Sequence, residues 1–133
     1  MEKLARRIKE TGKALKTLRE ISEEPYSVIV RDAAIQRFEY TFETFWRLVK
    51  EYLNEYEGIG CNSPKSCFRE ALSVGLISEE QTLTCLEMTD DRNLTSHTYI
   101  EEVAEQIYQK IENYCKLMET IFNLAKKKFE DEK

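Results

Sequence analysis

The segment Ile35–Tyr56, IQRFEYTFETFWRLVKEYLNEY, decides the fold because its apolar residues recur at steps of three and four. These positions are Ile35, Phe38, Phe42, Phe45, Val49, Leu53 and Tyr56. Charged and polar residues fill the opposite side, which predicts an amphipathic helix with one face in a core. The pattern starts near Ser27 and gives a helix of about thirty residues, ~45 Å long at 1.5 Å per residue.

The aromatic side of this helix has two interpretations. Its rings, with Trp46, could form a platform for stacking bases. The favoured interpretation is a core or a dimer interface, because a helix that extends beyond its own small bundle must cover its apolar side with something. The opposite face is expected to be solvated and to hold the ion pairs Glu43–Arg47 and Arg47–Glu51, which are spaced four residues apart.

Helix boundaries are well marked on both sides of this segment. An amphipathic pattern over residues 2–21 predicts a first helix, which ends before Pro25. Gly58 and Gly60 stop the long helix, and Ser63 followed by Pro64 has the N-cap and first-residue signature of a short third helix. Gly75 is expected to be the left-handed C-cap of that helix.

Two further helices follow. The sequence SEEQ at 78–81 predicts a capping box that starts the fourth helix. Thr98 and Glu101 predict another, so that the last helix begins at Tyr99. Its apolar residues repeat every seven positions, which suits bundle packing, and the segment KKKFEDEK at 126–133 is expected to be a frayed charged tail.

Together these helices predict a single all-α domain over residues 1–133. The expected architecture is an antiparallel, four-helix-type up-and-down bundle with about five helices, which forms a homodimer. A net charge of -5 and a pI near 5.1 disfavour nonspecific binding to DNA or to anionic lipid. No apolar run has the length of a membrane span, and we expect a cytoplasmic protein.

The sequence predicts no metal site and no cofactor. No two of the four cysteines have the C-x2-C spacing of zinc sites, and a single histidine cannot complete a Cys2His2 set. Cys85 and Cys115 are expected to be buried thiols, whereas Cys61 and Cys67 flank a turn and would pair only under oxidising conditions. Glu39 and Glu43 lack the Glu-x-x-His partner of a carboxylate metal site.

The segment DDRNLTSHTY, residues 90–99, contains the only histidine. Within one uninterrupted helix Arg92 and His97 would point ~140° apart, so a shared site requires a break between Leu94 and Thr98. A break would place both beside the free N–H groups of the next helix and create an anion-binding corner. Alternatively, His97 caps a helix end and Arg92 pairs with Asp90 or Asp91.

The motif RNLTSHTY resembles the R-N-x3-H-x-Y signature of the HEPN superfamily. With FEYTFETFWRLVKEYL, SPKSCFREALSVGLI and AEQIY in the same order, the chain from Ile35 to Ile111 resembles the nucleotidyltransferase substrate-binding branch of that superfamily. The resemblance implies a helical, homodimeric protein that associates with a separate minimal nucleotidyltransferase. In that family such pairs often act as toxin and antitoxin, and the toxic HEPN members are metal-independent RNases.

The resemblance also implies roles for four residues. Arg92 would contact the scissile phosphate, His97 would transfer a proton, and Asn93 would position the backbone or the phosphate. Tyr99 corresponds to the tyrosine that some partner nucleotidyltransferases modify with AMP, and an anionic adduct there would block the same corner. The chain lacks the Gly-Ser and acidic pair of a nucleotidyltransferase active site, so it is not expected to transfer nucleotides itself.

Three functions remain open at this point. The protein is a non-catalytic substrate-binding or regulatory subunit of a minimal nucleotidyltransferase, an RNase that the partner neutralises by adding AMP to Tyr99, or a structural bundle whose motif only caps a helix. The first is favoured. A nucleotide or RNA is a possible ligand in the first two.

Overall fold

The computed structural model describes all 133 residues and contains helices only. A short 3-10 helix, Thr95–His97, joins the last two α-helices. The five α-helices are α1 (Glu2–Ser22), α2 (Val28–Glu57), α3 (Pro64–Ser73), α4 (Glu79–Leu94) and α5 (Glu101–Glu132). The all-α prediction and the expected number of helices are therefore confirmed.

The long helix α2 supplies the centre of the core. Phe38, Phe42 and Phe45 are almost fully buried, and Phe68 of α3 packs against two of them. The ring centroid of Phe68 lies 6.1 Å from that of Phe42 and 5.9 Å from that of Phe45. The aromatic residues of α2 are thus mainly core, as the favoured interpretation expected.

The length of α2 does not require a partner chain to cover it. Near its C-terminal end, Leu48 and Tyr52 form a second buried cluster with Leu4 of α1 and Ala125 of α5. The first and last helices are long enough to cover this end as well as the middle. The length of α2 is therefore not evidence for an interface, because the chain itself covers the apolar side of this helix. The homodimer stays a prediction.

The predicted boundaries of α3 and α4 are confirmed. Ser63 and Ser78 are the N-caps of α3 and α4. Their hydroxyls accept hydrogen bonds from the backbone N–H groups of Ser66 and Gln81, and both helices begin with a capping box. Gly58 ends α2 with φ of 66°. Gly75 follows α3 with φ of 77°, a left-handed conformation that glycine adopts without a steric penalty.

The predicted start of α5 is wrong by two residues. The helix begins at Glu101, and its N-cap Ile100 makes no side-chain capping bond. The hydroxyl of Thr98 instead donates to the carbonyl of Thr95 at 3.2 Å, within the 3-10 segment. The Thr98 hydroxyl accepts no N–H group of α5, so the predicted cap does not form.

The charged segment 126–133, for which a frayed tail was predicted, continues α5 as a helix up to Glu132. Phe129 packs against the cluster around Leu4. Lys128 pairs with Glu132 at 3.1 Å and lies 5.3 Å from the ring centroid of Tyr56. These contacts give the last two turns a packed side.

The four cysteines fall into two classes. Cys85 and Cys115 are buried free thiols, as predicted. Burial raises the pKa of Cys85 to about 12 and is the main cause that raises the pKa of Cys115 to about 11, so neither is a reactive thiolate near neutral pH. Cys61 and Cys67 form a disulfide that links the loop after α2 to α3.

Candidate functional site

The last turn of α4 is fixed to α5 by a buried aspartate. The hydroxyl of Tyr114 donates to Asp91 Oδ2 at 2.5 Å, and Lys110 Nζ lies 3.1 Å from the same oxygen. Burial, together with the hydrogen bond to Asp91, raises the pKa of Tyr114 far above its usual range, so the hydroxyl keeps its proton. This contact holds the residue next to Arg92 in place.

Arg92 is held by a glutamate of α2. Its Nε lies 3.2 Å from Glu43 Oε1, without the alignment of a hydrogen bond, and this is its only ion pair. Asp90 pairs with Lys65 at 2.6 Å and Asp91 pairs with Lys110. The expected alternative, in which Arg92 pairs with Asp90 or Asp91, is therefore wrong. Glu43 is also not part of a merely solvated face.

The predicted break between α4 and α5 is confirmed. The 3-10 segment Thr95–His97 begins where Thr95 Oγ1 donates to the carbonyl of Arg92 at 2.6 Å. The chain then turns, and the N–H of Ile100 donates to the carbonyl of His97 at 3.0 Å. Asn93 lies exposed at the end of α4, and its side chain forms no hydrogen bond within the chain.

The break exposes His97 and Tyr99 together. Their ring centroids are 6.1 Å apart in an edge-to-face arrangement, and Tyr99 is 80% exposed. The Tyr99 hydroxyl has no partner within the chain. Arg92 shares no hydrogen bond with His97, because it turns toward α2. The four predicted residues therefore all lie at the α4–α5 junction, but Arg92 is turned toward α2 and only His97 and Tyr99 are adjacent as side chains.

The start of α5 is less favourable to anions than the sequence predicted. The N–H of Ile100 is engaged by His97, and the first turn contains Glu101 and Glu102. Carboxylates in a first turn already complement the helix dipole. The expected contribution of free N–H donors near His97 is thus replaced by acidic side chains, and Arg92 is the cation of the motif.

A buried arginine that the sequence analysis missed anchors this acidic turn. Arg31 of α2 is 3% exposed, and its Nη1 donates to Glu101 at 2.6 Å and to Glu105 at 2.9 Å. Tyr26 donates to Glu105 as well. Arg31 lies one turn before Ile35 on the apolar side of α2, and a charged residue in that stripe was the available signal.

These contacts predict a pH dependence of stability. The hydrogen bond from Arg31 lowers the pKa of Glu101, and those from Tyr26 and Arg31 lower the pKa of Glu105, both below their ordinary value of 4.5. The unfolded chain therefore binds more protons in acid than the folded chain. The stabilisation is present above pH 4.5 and is lost as the pH falls through the lower folded values.

We expect the double variant Glu101→Gln, Glu105→Gln to lose less stability than the wild type between pH 7 and pH 3, measured by urea unfolding. It is also expected to be less stable at pH 7, because Arg31 stays buried with weaker partners. Glu102→Gln is the matched control, since Glu102 makes no ion pair in the same turn. Equal acid slopes in the wild type and the double variant would contradict this role of Arg31.

The surface around Arg92, His97 and Tyr99, called the motif surface below, does not line the largest groove. That groove, about 670 Å³, lies between α4 and α5 and is lined by polar residues that include Glu87, Lys110 and Tyr114. None of Arg92, His97 and Tyr99 reaches it. A ligand at the motif would therefore bind on a surface formed by α2, α4 and the turn after α4.

Comparison with known proteins identifies the family. Residues 6–127 match the profile of the family described as "Nucleotidyltransferase substrate binding protein like". This chain belongs to that family. The match covers all five helices, and it confirms the resemblance that was drawn from the motif and its flanking segments.

Two other proteins are similar in sequence. "Probable ribonuclease HepT" from Haemophilus influenzae is 36% identical over 95 residues, which is 68% of this chain and 62% of that protein. The similarity thus spans less than two thirds of that relative. A crystal structure of a protein from Thermus thermophilus is 46% identical, with a TM-score of 0.84 over 86% of this chain and 98% of that one.

A more distant solved structure shares the fold. The tri-AMPylated HEPN toxin of Shewanella oneidensis, in complex with MNT antitoxin, is 13% identical with a TM-score of 0.76. The superposition covers 95% of this chain and 98% of the toxin. The likeness shows that this chain and that toxin share one helical fold.

Proposed function

We propose that this protein is a non-catalytic substrate-binding or regulatory subunit of a two-component system whose other component is a minimal nucleotidyltransferase. The observation that carries the proposal is the family match over residues 6–127. The exposed Tyr99, with a free hydroxyl beside His97, supports it. Such a hydroxyl is accessible to the active site of a docked nucleotidyltransferase and is the proposed acceptor of AMP.

Co-purification tests the docking. The protein is co-expressed with a candidate minimal nucleotidyltransferase from the same genome, and the complex is measured by size-exclusion chromatography with light scattering. We expect one stoichiometric complex. An unrelated minimal nucleotidyltransferase is the control. Separate elution of the two proteins at micromolar concentration would contradict the proposal. The mass of the protein alone, from the same measurement, tests the proposed homodimer.

A second candidate is a metal-independent RNase that the nucleotidyltransferase neutralises. The named function of the relative from Haemophilus influenzae favours it. Arg92 would bind the scissile phosphate, with Asn93 beside it, and His97 would move a proton at the ribose 2′-hydroxyl or the leaving oxygen. Because Arg92 and His97 are not in contact within one chain, the cleft would combine residues from both protomers of a homodimer.

Cleavage of RNA without added metal tests the RNase. We expect Arg92→Ala and His97→Ala each to reduce the cleavage rate at least about a hundredfold, since each removes a group that stabilises charge or transfers a proton. Ser96→Ala, a change between them in the same turn, is the control. The absence of cleavage by unmodified wild type would exclude the RNase.

The proposed system acts in the cytoplasm. No helix in the structure combines the length and apolarity that crossing a bilayer requires. In a reducing cytoplasm Cys61 and Cys67 would be thiols rather than the disulfide seen in the structure. Acid quenching of cells followed by alkylation under denaturing conditions and intact-mass measurement distinguishes the two states: all four cysteines are alkylated if Cys61 and Cys67 are thiols, and only Cys85 and Cys115 if they form the disulfide.

A further inference from the structure

One carboxylate lies between two arginines at the motif surface. Glu43 Oε1 is 3.2 Å from Arg92 Nε, and Glu43 Oε2 is 3.7 Å from Arg47 Nη2. The indole N–H of Trp46 donates to the same Oε2 at 3.3 Å. Glu43 thus links the motif arginine of α4 to a second arginine on α2 that the motif does not include.

Arg47 forms the predicted pair with Glu43 but not the one with Glu51. The expected ion pair with Glu51 is absent, which corrects that prediction, because the guanidinium turns back over Trp46 with its carbon 4.9 Å from the ring centroid. Lys50 Nζ lies 6.0 Å from the same ring. The side chain of Arg47 is 44% exposed.

These cations form a continuous stripe. Arg47 and Lys50 follow Glu43 at steps of four and three residues on one side of α2. The three residues span ~10 Å along the helix. Arg92 meets the stripe at Glu43. Arg92 and Arg47 both pair with Glu43, and Lys50 lies beyond them at the Trp46 ring, so the three cations outnumber the one carboxylate that pairs with them on a chain whose net charge is -5. Glu39 marks the acidic end of the stripe, one turn before Glu43.

A guanidinium binds carboxylates and phosphates through the same planar set of donors. The position of the Glu43 carboxylate therefore marks a place where a phosphate can contact Arg92 and Arg47. We propose that Arg47 and Lys50 extend the Arg92 site along α2 as a binding surface for the backbone of single-stranded RNA, in which a phosphate displaces Glu43. The inference rests on the phosphate-binding role proposed for Arg92.

A strand rather than a single nucleotide fits the stripe. Arg92 alone can hold one phosphate, whereas Lys50 lies two turns farther along α2 than Glu43 and is out of reach of that phosphate. Two or more successive phosphates are needed to engage all three cations. Bases would contribute little at Trp46, because that ring is only 7% exposed and is covered by Arg47 and Lys50.

The test measures binding of a short fluorescein-labelled oligouridylate by anisotropy, with every protein also containing His97→Ala so that the probe stays intact. We expect Arg47→Ala and Lys50→Ala to weaken binding, and each to reduce the slope of log K against log salt by about 0.7, the value for one contact to a single strand. Glu43→Gln is expected to strengthen binding, because it removes the competing carboxylate. Arg19→Ala, which removes an exposed arginine of α1 paired with Glu119, is the matched control.

Three results would overturn the inference. They are failure of the oligouridylate to bind, unchanged affinity and salt slope in Arg47→Ala and Lys50→Ala, and an equal loss in Arg19→Ala. Arg47→Gln removes the charge but keeps a long polar side chain over Trp46, and it is expected to weaken binding as Arg47→Ala does. Circular dichroism of both variants checks that the helices remain folded. AMP, added as a competitor, is expected to displace the RNA only weakly; displacement that is equally strong in wild type and Arg47→Ala would reduce the site to one phosphate at Arg92.

Formation of a complex with the nucleotidyltransferase is measured separately from RNA binding, so the two proposals can fail independently. A stable complex with no effect of Arg47 on RNA binding would reject the stripe and keep the proposed function. The reverse result, RNA binding that depends on Arg47 in a protein that forms no complex, would reject the proposed function and keep the stripe.

Discussion

Replacement of Phe42 by alanine is expected to lower the free energy of unfolding by about 3–5 kcal/mol. Phe42 is 1% exposed and lies at the centre of the aromatic core. Its ring centroid is 6.3 Å from that of Phe38 and 6.1 Å from that of Phe68. The truncation therefore removes contacts on both sides and leaves a cavity between α2 and α3 that rigid helices cannot close.

Urea unfolding followed by circular dichroism measures this loss. The transition midpoint is expected to fall at an unchanged slope, because the core loses packing but the surface exposed on unfolding stays similar. Leu83→Ala is the control: it truncates a large apolar side chain that is 69% exposed on α4, and surface changes of this kind usually stay within about 0.5 kcal/mol. Similar losses in the two variants would contradict the assignment of Phe42 to the core.

The fold could be predicted because its determinants are local. The apolar stripe of α2, the serine caps at Ser63 and Ser78 and the glycines at the helix ends each act within a few residues. The error at the start of α5 was also local. Thr95 and Thr98 each donate to the carbonyl three residues earlier, and the sequence does not show that Thr98 makes this bond and leaves the next helix uncapped.

The candidate site could be predicted only in part, because its partners come from distant segments. The sequence located Arg92, His97 and Tyr99, and it indicated the break between them. Nothing in the sequence indicated that Arg92 would form its ion pair with Glu43 of α2 and not with the neighbouring Asp90 or Asp91. Arg31, whose partners Glu101 and Glu105 lie 70 and 74 positions away, was missed for the same reason. Such pairs follow from helix packing.

The distribution of ion pairs around the motif has a consequence for function. Asp90, Asp91, Glu101 and Glu105 are all paired with cations other than Arg92. The guanidinium of Arg92 therefore has Glu43 as its single competitor. A phosphate bound in the role proposed for Arg92 would have to displace one partly exposed carboxylate, which costs less than the separation of a buried pair.

If the proposed partner nucleotidyltransferase transfers AMP from ATP to this protein, replacement of Tyr99 by phenylalanine is expected to abolish that transfer. In the proposed reaction the phenolic oxygen attacks the α-phosphorus of ATP, the new P–O bond replaces the bond to pyrophosphate, and the hydroxyl proton is lost to a base. Phenylalanine lacks the oxygen but keeps the ring that faces His97. Because Tyr99 is 80% exposed, we expect stability to change by less than about 0.5 kcal/mol.

Tyr26→Phe is the matched control for this experiment. Tyr26 is 54% exposed, but its hydroxyl donates to Glu105, and that bond raises the pKa of the phenol and keeps it protonated and occupied. Exposure alone would make Tyr26 an acceptor, whereas a free hydroxyl at the motif singles out Tyr99. Intact mass and peptide mapping after incubation with the nucleotidyltransferase and ATP distinguish the two. An AMP adduct that persists in Tyr99→Phe, or that disappears in Tyr26→Phe, would place the acceptor elsewhere.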